Sequence, residues 1–170
     1  MSLQREELQR LLFRTAFCVM ACDGHIDEKE VREIKTMNKS SQYFMGLDLD
    51  EELQELLSIL KDKGKFIVDE FFETISKKDL STVQEMLVLE VAFRMVNADE
   101  KLDENEIKFI RYLRSKLNVH DRIIQDRFGF IDYLFDNDYS KDIVKKNLHD
   151  DLIHNFEIPN FNDLQINLRD

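Results

Sequence analysis

The chain has 170 residues, with 35 acidic and 24 basic side chains and a formal charge of −11. That sign opposes the counterion release through which nucleic-acid binders gain affinity, and it argues equally against an anionic membrane surface. Four glycines and one proline are too few for the turns of a β-sandwich or barrel, and a 43% hydrophobic fraction with 13 phenylalanines excludes wholesale disorder.

The first ten residues are charged where a signal peptide would be apolar. No apolar run approaches the ~20 residues that span a bilayer, so a cytoplasmic location without membrane insertion is expected. Leu8, Leu11, Leu12, Thr15, Val19 and Cys22 form a helical stripe, with Gln9, Arg10 and Arg14 off it. Asp23-Gly24 is expected to end this helix. Asp27-x-x-Glu30 then reads as a capping box opening a second helix, with Val31, Ile34 and Met37 inward. Cys18 and Cys22, four apart on one helix, are read as reduced core thiols, because a bridge between them would distort the backbone.

In the middle, Asp50 is expected to cap a helix carrying Leu53, Leu56, Leu57 and Leu60, and Lys61 to Gly64 to form a turn. Phe66 to Ile75 read as another short helix. Ser81-x-x-Gln84 is a further capping box, starting a long apolar helix that reaches Ala98. Beyond Leu117, Asp121 is expected to cap a helix with Ile123, Ile124, Phe128 and Ile131 inward. Leu164, Ile166 and Leu168 alternate like an edge strand. Six of the 13 phenylalanines lie from Phe109 onward, so this C-terminal part is expected to pack on the rest.

A shift of 76 positions lays the helix ending at Ala98 over the first one. Ala92-Phe93 falls on Ala16-Phe17, Asp99 on Asp23, Asp103-Glu104 on Asp27-Glu28 and Glu106 on Glu30. The apolar positions agree too: Val96 with Met20, Ile107 with Val31, Ile110 with Ile34, Leu113 with Met37. The chain therefore reads as an all-α bundle of two pseudo-symmetric repeats, about 3–40 and 80–117, within a domain of residues 1–119. Residues 120–170 are expected to form a C-terminal extension packed on it.

Each repeat concentrates carboxylates in its turn. Hard cations such as Ca²⁺ take several oxygen ligands, which clustered carboxylates and turn carbonyls supply. The spacing is not that of an EF-hand: from Asp23 the sixth position is Glu28 instead of glycine and the twelfth is Ile34 instead of glutamate, and Glu104 and Ile110 fail likewise in the second turn. Helix capping accounts for Asp27 and Asp103, and the helix dipole for Glu28, Glu30, Glu104 and Glu106. Neither accounts for Asp23 and Asp99, which stand at helix C-termini where the dipole disfavours negative charge.

The run Ala21-Cys22-Asp23-Gly24-His25-Ile26-Asp27-Glu28-Lys29-Glu30 resembles the A-x-D-G-x-[ILV]-x-x-x-E signature of the tellurite-resistance TerB-like family, and Asn97 to Glu106 resembles a second copy. The family's fold is similar to a region of some membrane-anchored DnaJ-type co-chaperones. The resemblance covers roughly residues 3–117. It implies two helical halves, no enzymatic activity, a link to tellurite or another stress, and an acidic cluster holding divalent cations. Carried over by position, the implied metal ligands are Asp23, Asp27, Glu30, Asp99, Asp103 and Glu106, with Ca²⁺ the first expectation and no organic cofactor. In the second copy Asn97 and Glu100 replace the motif's alanine and glycine, which leaves the shape of that turn open.

A Cys18, Cys22 and His25 zinc site is a weaker reading, because Arg94, Ala98 and Lys101 hold the equivalent places in the second repeat. No nucleophile elbow, Walker loop, dinucleotide fingerprint or Glu-x-x-His pair marks a catalytic centre. The expectation is a binding module for a divalent cation or for a protein with a basic surface. The alternative is a non-metal structural or interaction domain working through its acidic surface or Phe-rich C-terminal segment.

Overall fold

The structure, a computed structural model, describes residues 4–22, 28–40, 43–64, 66–98 and 102–135. Among them the chain forms eight helices: α1 (Arg5–Ala21), α2 (Glu28–Ser40), α3 (Leu49–Lys63), α4 (Phe66–Lys77), α5 (Thr82–Asn97), α6 (Glu104–Ser115), α7 (Asp121–Phe128) and α8 (Asp132–Phe135). No strand occurs among the described residues, and no described helix is long and apolar enough to cross a membrane. The expected strand at Leu164–Leu168 lies outside the described residues.

Helices α1 and α5 form the central pair. In α1, Phe13, Ala16, Phe17, Val19 and Ala21 are fully buried, and in α5 so are Val88, Leu89, Val91, Ala92 and Met95. From Leu11 to Ala21 every residue of α1 but Arg14 is buried, as expected of a helix enclosed by the domain, whereas Met86, Leu87, Glu90 and Arg94 leave one face of α5 only partly buried. The stripe in the first helix is therefore only part of what is buried. Gln9, expected off the stripe, is buried as well. Around the pair, α4 packs on α1 and α3, α2 and α6 pack on α5, and α8 packs on α6. The outer helices α2 and α6 keep the narrow apolar face that periodicity marked, with Ile34 and Met37 matched by Ile110 and Leu113, all fully buried.

Local chemistry sets the helix ends. Ser81 and Gln84 form the expected box, the Gln84 N–H donating to Ser81 Oγ (3.2 Å) and the Ser81 N–H to Gln84 Oε1 (3.1 Å). Helix α3 is capped by Asp48, not Asp50. The extended backbone at Asp48 lets its carboxylate accept from the Glu51 N–H at 3.2 Å, which puts Asp50 in the first turn. The helix runs on to Lys63 and stops at Gly64, whose φ of 59° a side chain would disfavour. His120, not Asp121, is the N-cap residue of α7, and Asp121 binds Arg114 (2.5 Å to Nη2). In α7, Ile124 is fully buried and Phe128 and Ile131 are partly buried, but Ile123 stays 39% exposed. Adjacent residues on a helix point about 100° apart, so a two-turn helix lying on a surface buries one of the two isoleucines.

Cys18 and Cys22 are both buried in the core and form no disulfide. Burial pushes the Cys18 thiol up to about 12, against a smaller downward pull from Arg14. Cys22 Sγ donates to the Val19 carbonyl at 3.0 Å. Under native conditions at pH 8, Cys18 is expected not to react with a thiol-specific disulfide reagent, whereas the chain in guanidinium exposes two fast-reacting thiols. The raised value also sets a sign for stability: the thiol's contribution is intact below the unfolded thiol's ordinary range and is lost as pH rises from about 9 toward 12. Rapid native-state labelling of Cys18 at pH 8 would show that this part of α1 opens.

Candidate cation-binding turns

The 76-residue offset carries over to the helix limits around both turns. Helix α1 ends at Ala21 and α5 at Asn97; α2 begins at Glu28 and α6 at Glu104. Glu30 and Glu106 are each the third residue of the helix that leaves the turn, and each is only 2% exposed. Two carboxylates at equivalent places are thus withdrawn from water, although the helix dipole acts on exposed carboxylates too.

In the second turn the cap is fully formed. Asp103, with extended backbone (φ −76°, ψ 142°), accepts the Asn105 N–H on Oδ1 at 2.7 Å. Its own N–H donates to Glu106 Oε2 at 3.3 Å. Asp103 and Glu106 are therefore brought together by a reciprocal box, at the position equivalent to the one read at Asp27-x-x-Glu30. Glu106 also acts on Tyr133 of α8, whose phenol is pushed upward by burial first and by this carboxylate second.

Of the six candidate ligands, the structure places Glu30, Asp103 and Glu106. Asp23, Asp27 and Asp99 lie outside the described residues, as does His25 of the alternative zinc reading. Among the described residues no group of three or more histidine, cysteine or carboxylate side chains is arranged to hold a metal ion. The donor chemistry of the six is uniformly oxygen, which suits a hard cation better than zinc. Capping does not conflict with that role: the box uses Oδ1 of Asp103 and Oε2 of Glu106, and each carboxylate has two oxygens with several lone-pair sites.

Glu85, which no local sequence pattern marks, is a buried carboxylate in the first turn of α5, 3% exposed. Its oxygens accept the backbone N–H groups of Asn118 at 3.0 Å and Val119 at 2.7 Å, fastening the α6–α7 connection to α5. A polar belt also runs from α2 across α5 to α7. Glu33 binds Arg94 at 2.8 Å, Arg94 lies over the Tyr43 ring at 5.8 Å, and Glu90 binds Arg127 at 2.6 Å. Tyr43, with Glu90 at its hydroxyl, is pushed up to about 12, chiefly by burial. These partners lie tens of residues apart in sequence, out of reach of any local pattern.

The family model described as Tellurite resistance protein TerB matches residues 9–126. The match begins within α1, spans both acidic turns and the helices from α2 to α6, and reaches into α7. Comparison with curated proteins and with solved structures gives no match.

Proposed function

The chain belongs to the TerB tellurite-resistance family, and from that premise we propose that it is a non-enzymatic binding module whose two acidic turns hold divalent cations. Asp23, Asp27 and Glu30 would serve the first turn and Asp99, Asp103 and Glu106 the second, with Ca²⁺ the preferred ion and no organic cofactor. The cation would supply positive charge to an otherwise acidic surface. That would couple its binding to docking of a basic protein partner in the cytoplasm, in a response to tellurite or another stress.

The observation that carries this reading is the burial of Glu30 and Glu106 at the same place in both repeats. A carboxylate already held by packing loses little freedom on coordinating an ion, so a site built on it starts partly organised. The cap bond to Asp103 orients Glu106 further.

Calorimetric titration of Ca²⁺, Mg²⁺, Mn²⁺ and Zn²⁺ into chelator-stripped protein is the direct test. Saturable binding is expected for the native chain and its loss in an Asp23→Asn/Asp99→Asn double variant. A bound cation should also raise folding stability by about 2.7 kcal/mol at a hundredfold excess over Kd. A folded native chain that binds none of the four ions sinks the cation reading. The second reading, a non-metal interaction domain, would then draw on the exposed apolar side chains Val83 (68%) and Phe130 (70%).

A further inference from the structure

Along α5 and α7 the surface holds an open groove of about 600 Å³. Its apolar walls are Val83, Met86 and Leu87 of α5 and Ile123 of α7. Val83 is 68% exposed and Ile123 39%, while Met86 and Leu87 are only partly buried. Val83, Met86, Leu87 and Glu90 stand three and four apart, so two turns of α5 present one incompletely covered face. An apolar face rimmed by polar groups marks a place where something docks. The rim is charged. Glu90 is engaged by Arg127 at 2.6 Å, whereas Asp126 is exposed and has no basic partner among the described residues.

The chain carries an occupant of matching pattern. Residues 136–170, which lie outside the described residues, follow α8, and α8 is anchored through the fully buried Leu134. In that stretch Val144, Leu148, Leu152 and Phe156 recur every four residues, a helical stripe, and Pro159 ends the pattern. On such a helix Lys141 and Lys145 neighbour Val144 and Leu148, opposite in sign to Asp126. Reach is no obstacle: from Phe135 to Val144 the chain can span about 30 Å, more than the ~24 Å length of the 16-residue α5. A tethered segment also meets its groove at a roughly millimolar effective concentration, so modest affinity holds it there. A helix suits the groove better than an extended segment, because it satisfies its own backbone groups, and no sheet edge exists among the described residues.

We infer that residues 140–156 dock on their own domain as an amphipathic helix in this groove. Val144, Leu148 and Leu152 lie against Val83, Leu87 and Ile123, rows four apart on both helices interdigitating, with Lys145 toward Asp126. Neither surface includes a candidate cation ligand, so the docking stands apart from the cation reading.

The test compares the full-length ¹⁵N-labelled protein with its Leu148→Asp/Leu152→Asp variant. In the variant the Val83, Leu87 and Ile123 amides should shift and the α7 amides exchange ~10-fold faster or more, with those of α1 unchanged. A synthetic peptide of residues 140–157, added to the variant, should restore the native shifts saturably. Phe161→Asp/Leu164→Asp, beyond Pro159, should leave the groove signals as they are. Unmoved groove amides in Leu148→Asp/Leu152→Asp would overturn the inference, as would a peptide that fails to restore the native shifts. So would groove shifts produced by Phe161→Asp/Leu164→Asp, or groove signals of the native chain that track protein concentration, which would make a second copy the occupant.

Discussion

Phe72→Ala is expected to destabilise the fold by about 4 kcal/mol, the range for removing a buried phenylalanine. The side chain is 2% exposed and stands at the junction of α4 and α6. Its ring centroid lies 5.0 Å from that of Phe109 and 4.5 Å from that of Tyr112, which it meets edge-on at 87°. Phe71, beside it in the chain, stacks on the same Phe109 at 5.9 Å. Truncation therefore removes the ring's own burial, leaves a cavity and strips two aromatic partners of their contact. Against a total of roughly 5–15 kcal/mol for a domain of this kind, one such change brings the fold near its limit. Urea unfolding followed by far-UV circular dichroism gives the shift in midpoint. Phe72→Leu, which keeps most of the volume, should cost less than half as much. A loss below about 1 kcal/mol for the alanine variant would mean that α4 and α6 are not packed as described.

Most of this architecture is legible in the sequence because the determinants are local. Ser81-x-x-Gln84 and Asp103-x-x-Glu106 specify their boxes through groups three residues apart. The 76-residue offset relates the end of α1 to that of α5 and the start of α2 to that of α6. What was misread depends on neighbours distant in the chain. Gln9 looks like a solvent-facing residue until the rest of the domain closes over α1, and its counterpart Glu85 is buried for the same reason. Asp50 and Asp48 are both plausible caps by type, and only the extended backbone at Asp48 decides between them. Ile123 and Ile124 are equally apolar, and the side on which α7 lands exposes one of them.

The candidate site divides along the same line. Residue type and position mark Asp103 as a helix cap and Glu106 as a first-turn carboxylate, and the structure joins the two in one box. Spacing does not reveal that Glu30 and Glu106 are buried, because a charged residue in the first turn of an amphipathic helix is ordinarily solvated. Their depth depends on how closely α2 and α6 approach α5.

Glu85→Ala should be the most damaging change to a charged side chain, at about 3 kcal/mol, because it removes one acceptor serving two backbone donors. Glu85 holds the N–H groups of Asn118 and Val119, and the Val119 residue it reaches is itself only 4% exposed. Without the carboxylate, the Val119 N–H is left in a setting that water does not readily enter, and leaving a buried donor unpaired costs more than the bond itself gains. Glu85→Gln keeps an acceptor oxygen but turns an NH₂ toward one of the two donors, so an intermediate loss is expected. Hydrogen exchange separates this effect from general destabilisation. The Asn118 and Val119 amides should lose protection in Glu85→Gln while the amides of α1 retain theirs, since the connection to α7 can open without unfolding the central pair. If both amides stay protected and Glu85→Ala costs under about 1 kcal/mol, the burial of Val119 and Ile124 holds this connection by itself. The carboxylate would then be accommodated by the fold instead of fastening it.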